Sequence, residues 1–259
     1  IDVGMTPYKA TSLQNSNKLV LTYDDGPHPT RTEQILDLLQ EFNVKATFFV
    51  VTERVTEATL PILQRVVREG HNLASHDHDH QDTNGETLNE YKSELIKSIT
   101  LVEKFLVSEG IQQNNIYYRF PFGAYGKNKL YHHLNIMKEV SQLLYGENCI
   151  NFAFWDIDTA DWVPSMTSTE VAQNVRAHMI GGTAYSFVRQ DGVFVKKPYQ
   201  INSPIGGGVV LMHDIQEKTI EATRKILTQA QENNWEITPL QNVKEFSYGQ
   251  RNCQFLDAI

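Results

Sequence analysis

The chain has 259 residues, of which 41% are hydrophobic and 21% charged, with a formal net charge of −8. A chain of this length and balance buries a globular core without metal or disulfide staples, so a metal is expected to serve chemistry rather than folding. The acidic balance argues against nucleic acid or an anionic membrane as partner, and no apolar run approaches the ~18 residues of a membrane span.

In chain order, the predicted elements alternate strand and helix, the pattern of a parallel α/β fold. A first strand fits Lys18 to Tyr23 and ends at an Asp-Gly-Pro turn. A helix follows with Ile35, Leu38, Leu39 and Phe42 on one stripe, capped by Thr30 or Thr32. Next come a buried strand at Ala46 to Val51 and a helix carrying Ile62, Leu63, Val66 and Val67, stopped by Gly70. A short strand leads to a histidine-rich loop, Ser75 to His80, and then to a long helix from Glu86 to Gly110. Strands are expected at Ile116 to Phe120, Asn151 to Ile157, Val209 to Met212 and Trp235 to Thr238, with a helix from Gln216 to Asn233. The stretch from Gly181 to Ile205 breaks the rhythm and reads as an inserted loop or hairpin beside the site. About seven βα units result. Their polar clusters all follow strands, which is where a barrel of parallel strands carries its active site.

Five such clusters carry chemistry. Asp24 and Asp25 adjoin at a strand end, and the Gly26-Pro27 turn lets both face one mouth, one to bind a metal and one to act as base. Taken alone, they are more often a solvated acidic turn. His76 and His80 stand four apart, a spacing that converges on one helical face. With Asp25 they make a two-histidine, one-carboxylate set, while His78 is placed outside it. Arg119, at a strand end, can hold a carboxylate through a bidentate pair. Trp162 suits the apolar face of a sugar ring, and Asp161 beside it can orient a histidine. His213 ends an apolar strand and can act as general acid. For Arg119, Trp162 and His213 taken singly, a structural role is the commoner one. His28, His71, His132, His133 and His178 receive only that reading. The two cysteines, Cys149 and Cys253, either pair and pin the tail or remain free thiols, and no further thiols exist for a zinc ribbon.

Together and in this order, TYDDGP, HDHDH, RFPF, DTADW and VLMH resemble the motifs of the polysaccharide deacetylase family, also called the NodB homology domain or carbohydrate esterase family four. The resemblance runs from about Lys18 to about Leu240. It implies a distorted, incompletely closed (β/α) barrel of about seven parallel strands, with the active site at their carboxyl ends. Residues 1–17 would be an extension packed on the barrel, and 18–259 the catalytic domain with its insertion at 181–205. By position, Asp24 matches the catalytic base, Arg119 its orienting residue, Asp161 the partner of the catalytic histidine, and His213 the general acid. Asp25, His76 and His80 match the metal ligands. Phe122 (through its backbone N–H), Trp162 and Met212 match the substrate side.

The implied reaction is metal-dependent removal of N-acetyl groups from N-acetylglucosamine-type residues of a peptidoglycan or chitin-like polymer. Zinc suits two nitrogens and one oxygen, with cobalt or nickel as substitutes. An O-acetyl esterase acting on a polymer such as xylan, and an inactive carbohydrate-binding protein, are the alternatives. The substrate implies export, and the opening IDVGMTPYKA, without a starting Met, suggests a leader already removed. The family pattern is departed from at Asp77, where Ser or Thr is usual. That carboxylate could bond a ligand histidine or bind the metal itself.

Overall fold

Residues 8–126 and 132–256 are described by the computed structural model, so the first seven residues of the expected extension lie outside it. The central strand, β1 (Lys18–Asp24), shows why both faces of the sheet are apolar. Its side chains alternate: Val20 joins an inner cluster with Phe49, Ala74, Phe152 and Val209, whereas Leu19, Leu21 and Tyr23 join a second with Phe48, Val210 and Ile226. The second cluster is completed by Ile35 and Leu39 of α1 (Arg31–Glu41), Ile62 and Val66 of α2 (Leu60–Arg68), and Leu227 of the last helix.

Around β1 stand β2 (Thr47–Val50), β3 (Asn72–Ser75), β4 (Ile116–Tyr118), β5 (Ile150–Phe152), β6 (Ile157–Asp158) and, beyond a hairpin, β9 (Gly208–His213). They are ordered β5-β4-β3-β2-β1-β9-β6, every pair parallel, and short β10 (Glu236–Ile237) pairs with the start of β1. Helices α3 (Leu88–Ser108), α4 (His132–Asn135), α5 (Met137–Tyr145), α6 (Ser168–Ile180) and α7 (Glu217–Asn233) are the remaining α-helices among the described residues. Capping boxes start α3 (Thr87 with Glu90) and α6 (Thr167 with Glu170). At α1 the expected threonine cap is not made. Thr30 makes no side-chain cap bond, and Thr32 instead accepts from His28 N and donates to Asp214.

This half-barrel, with flanking helices, is the distorted (β/α) barrel expected. The single strand predicted from Asn151 to Ile157 is in fact two, β5 and β6, at opposite edges of the sheet. The chain leaves the ladder between them because its polar groups are taken elsewhere. Arg119 donates to the carbonyls of Ala153 and Phe154, and Asp156 accepts from Ala10 N and Val209 N. The barrel therefore stays open at this seam.

The irregular stretch after α6 is an antiparallel hairpin, β7 (Gly182–Gln190) and β8 (Val193–Ile201), closed by Asp191 and Gly192 at φ 49° and 82°. Two central residues with positive φ match the right-handed twist of the strands. Cys149 and Cys253 are joined in a disulfide across 104 positions, which decides between the two readings of the thiols. In the chain-entropy account, a loop of that length stabilises by about 4–5 kcal/mol. Residues 8–17 lie against the barrel: Tyr8 packs on Phe154, and Asn15 and Asn17 donate to the carbonyls of Ile205 and Gly206. No helix among the described residues is long and apolar enough to cross a membrane.

Candidate active site

β1 carries Asp24 to its carboxyl end, and the next residue breaks the alternation. Asp25 takes a left-handed backbone, φ 76°, a conformation Asp tolerates better than most residues. Gly26 has no room for a side chain, since a Cβ there would lie 2.1 Å from an oxygen of Asp214. Both carboxylates consequently line one cavity.

Asp24 is 2% exposed. Its Oδ1 accepts from Arg119 Nη1 at 2.7 Å, and its Oδ2 lies 3.6 Å from His76 Nε2. Arg119 is fully buried, its guanidinium 4.0 Å from the centre of the Phe49 ring. The arginine does not form the bidentate pair expected. One nitrogen reaches both Asp24 and Thr22 Oγ1, while Nε and Nη2 hold the seam carbonyls.

Asp25 Oδ1 lies 3.1 Å from His80 Nε2 and 3.4 Å from His76 Nε2. His76 donates through Nδ1–H to the Arg119 carbonyl at 2.8 Å, which orients the ring and turns Nε2 toward Asp25. Among the described residues, this is the group of three whose ligand atoms, within 4.8 Å of one another, can hold a metal ion. Burial pulls the Asp25 carboxyl up, but the two imidazoles more than reverse this and hold it well below the carboxylate range.

His78 turns away to Thr52, 2.9 Å between Nδ1 and Oγ1. Asp77 takes neither of the uses expected of it. Fully buried, it accepts from Tyr118 OH at 3.3 Å, and burial raises it to about 6.

Across the cavity, β9 ends at His213. Its Nδ1 is 2.7 Å from Asp161 Oδ1, and its backbone N–H and Thr219 Oγ1 both donate to Asp161 Oδ2. Burial would lower the imidazole, but the Asp161 charge wins and pushes it up to about 10, with Asp25 and Asp24 adding to the effect.

The cavity measures about 410 Å³, and much of its wall is aromatic: Phe120, Phe122, Trp155, Trp162, Phe187 and Phe194. Phe122 is 68% exposed at the rim, on a left-handed turn (φ 58°), its ring 4.7 Å from that of His80. Trp162 meets the hairpin edge-on, 4.6 Å from Phe187 and 5.1 Å from Phe194.

Met212 does not reach the cavity. On β9 it points oppositely to its neighbours, into the cluster behind the sheet, and Leu211 and His213 line the site instead. Trp155, Phe187 and Phe194 were not anticipated. Asp191-Gly192 signals a tight hairpin, which would have directed attention to the phenylalanines on its strands.

A carboxylate–histidine group flanked by a carboxylate paired with Arg119 and a histidine paired with Asp161 suits metal-assisted hydrolysis. Residues 12–138 match the family model for polysaccharide deacetylase, and the chain belongs to that family. It is 25% identical over 238 residues to the peptidoglycan-N-acetylglucosamine deacetylase PgdA of Listeria monocytogenes, covering 92% of this chain and 40% of the relative. It is 37% identical over 116 residues to a bifunctional xylanase/deacetylase of Pseudobutyrivibrio xylanivorans, covering 42% of this chain and 19% of the relative. The chain thus spans well under half the length of either. Among solved structures, a family 4 acetyl xylan esterase from Clostridium thermocellum, in complex with cobalt, superposes with a TM-score of 0.63. The two are 22% identical, with 88% of this chain and 90% of the other covered.

Proposed function

We propose that the chain is a metal-dependent hydrolase that removes N-acetyl groups from N-acetylglucosamine-type residues of a polysaccharide, releasing acetate and a free amine. The observation that carries this reading is that Asp24, held by Arg119, and His213, held by Asp161, line one cavity with the Asp25, His76 and His80 group. The group fits a divalent cation. Asp25 Oδ1 is buried without a hydrogen-bond partner among the described residues, and two imidazole nitrogens stand beside it. Two nitrogens and one oxygen favour zinc, with cobalt or nickel as substitutes. When bound, the cation supplies a Lewis acid that polarises an acyl carbonyl and acidifies water.

The protein's own groups supply the rest. Asp24, aimed by Arg119, takes the proton of the attacking water. The backbone N–H of Phe122 donates to the developing oxyanion. His213, kept charged by Asp161, protonates the departing nitrogen. An amide needs that proton more than an ester does, because an amine leaves poorly as an anion. His213 therefore favours N-acetyl over O-acetyl groups. Trp162 offers its ring to the apolar face of a sugar. The name of the Listeria relative supports peptidoglycan as the polymer, with chitin-like chains next. Such substrates lie outside the cytoplasm, and the Cys149–Cys253 disulfide suits an oxidising compartment.

The test is acetate release from N-acetylglucosamine oligomers, purified peptidoglycan and acetylated xylan, with zinc or with chelator. Zinc-dependent release from the first two is expected. Release from xylan alone would make the protein an esterase, and sugar binding with no release from any polymer would make it a binding protein.

The pH profile tests the acid. Asp161→Asn removes the charge that raises His213, so the imidazole loses its proton at lower pH. The alkaline limb of kcat/KM is expected to move down by at least about one pH unit. An unmoved limb would mean that another group sets it.

A further inference from the structure

A second concavity opens beside the first. It measures about 190 Å³ and shares Trp155, Asp158 and Phe187 with the larger cavity. Its other walls include Tyr185 and Tyr199 of the hairpin and His178 of α6. The reaction described above uses none of these three.

This wall is built rather than incidental. Asn174, fully buried in α6, donates to the carbonyls of Thr159 (3.0 Å) and Tyr185 (2.9 Å) and accepts from Tyr185 N (2.6 Å). One amide therefore ties the hairpin to the loop after β6. Farther along, Lys196 N donates to Ser165 Oγ at 2.9 Å, and the Lys196 ammonium pairs with Glu170 at 2.6 Å. A wall ordered in advance adds little entropic cost to binding.

The chemistry of the lining narrows the occupant. Trp155, Tyr185, Phe187 and Tyr199 offer aromatic surface. His178 gives its Nδ1–H to the Asn174 carbonyl, which leaves Nε2 as an acceptor. Asp158 uses one oxygen on Ala160 N and offers the other. Burial and the Asp158 charge raise the Tyr199 phenol above its ordinary range, so it remains an O–H donor. Apolar faces interleaved with acceptors suit a ring that has C–H faces and hydroxyl or amide donors, which is a neutral pyranose. A sugar carboxylate would face Asp156 and Asp158, against which the wall sets one cation, Lys9, whose ammonium already donates to the Trp155 carbonyl at 3.3 Å.

We propose that this concavity is a subsite for the neutral pyranose adjoining, along the polymer, the unit held at the catalytic cavity, with Tyr199 as its stacking platform. The inference rests on the deacetylase reading, and its test is independent of turnover. Titration calorimetry would measure the N-acetylglucosamine tetramer binding to the zinc-loaded Asp24→Asn protein, alone and with Tyr199→Ala or Tyr199→Phe added. Tyr199→Ala is expected to weaken binding about three- to tenfold, and Tyr199→Phe, which keeps the ring, less than twofold. In the wild-type background, Tyr199→Ala should raise KM for the tetramer while kcat at saturation holds. A Tyr199→Ala protein with unchanged Tm and tetramer affinity within twofold of its parent would overturn the subsite, as would no tetramer binding to the parent. Failure of the deacetylase reading shows separately, as wild-type protein that releases no acetate.

Discussion

Asp24→Asn is expected to lower kcat by about 10²–10⁴ with little change in KM, a loss of about 3–5 kcal/mol of transition-state stabilisation. Asn keeps the shape of the side chain and an oxygen that can accept from Arg119, now at 2.7 Å from Oδ1. What it loses is the ability to take a proton. The substitution leaves Asp25, His76 and His80 intact, so zinc content is expected to stay at one per chain. The pairing of the two measurements matters. Low activity with zinc retained assigns Asp24 to proton transfer. Low activity with zinc lost would instead make Asp24, whose Oδ2 is 3.6 Å from His76, a support of the metal group. Full activity would remove Asp24 from the mechanism.

The polar clusters were legible because each ends a parallel strand, and strand ends share one face of the sheet. A turn signal (Asp25-Gly26-Pro27) and an i, i+4 histidine pair therefore imply convergence from the sequence alone. Spacing along a strand also carries a face, and there Met212 went astray. The family resemblance put Met212 on the substrate side, but the two-residue period of β9 sends it to the opposite side, among Tyr23 and Phe48. The seam was hidden for a different reason. Nothing local in Asn151 to Ile157 forbids a continuous strand. It is broken by contacts with Arg119 and Ala10, some 35 and 146 positions away. Asp77 shows the same limit, because a carboxylate beside metal-ligand candidates reads as a partner of a ligand histidine or as a ligand, whereas it accepts from the Tyr118 hydroxyl, 41 positions away.

Arg119 couples the site to the fold, since one guanidinium both aims Asp24 and fastens the open edge of the barrel. In Arg119→Ala, Asp24 would remain 2% exposed without its counter-charge, and the carbonyls of Ala153 and Phe154 would lose their donor. Breaking a buried pair from one side costs about 3–5 kcal/mol. In a chain of this size that lowers Tm by roughly 10 °C. Arg119→Lys separates the two roles. It restores a cation for Asp24, but three donors on one nitrogen cannot span Asp24 and both seam carbonyls as the planar fork does. Calorimetry of the two variants should find part of the lost stability recovered in the lysine protein. Its kcat should nevertheless stay depressed, because Asp24 is then neutralised without being aimed. An alanine variant that melts within about 2 °C of the wild type would show that the seam is held by other contacts. A lysine variant with full kcat would show that charge alone suffices at Asp24.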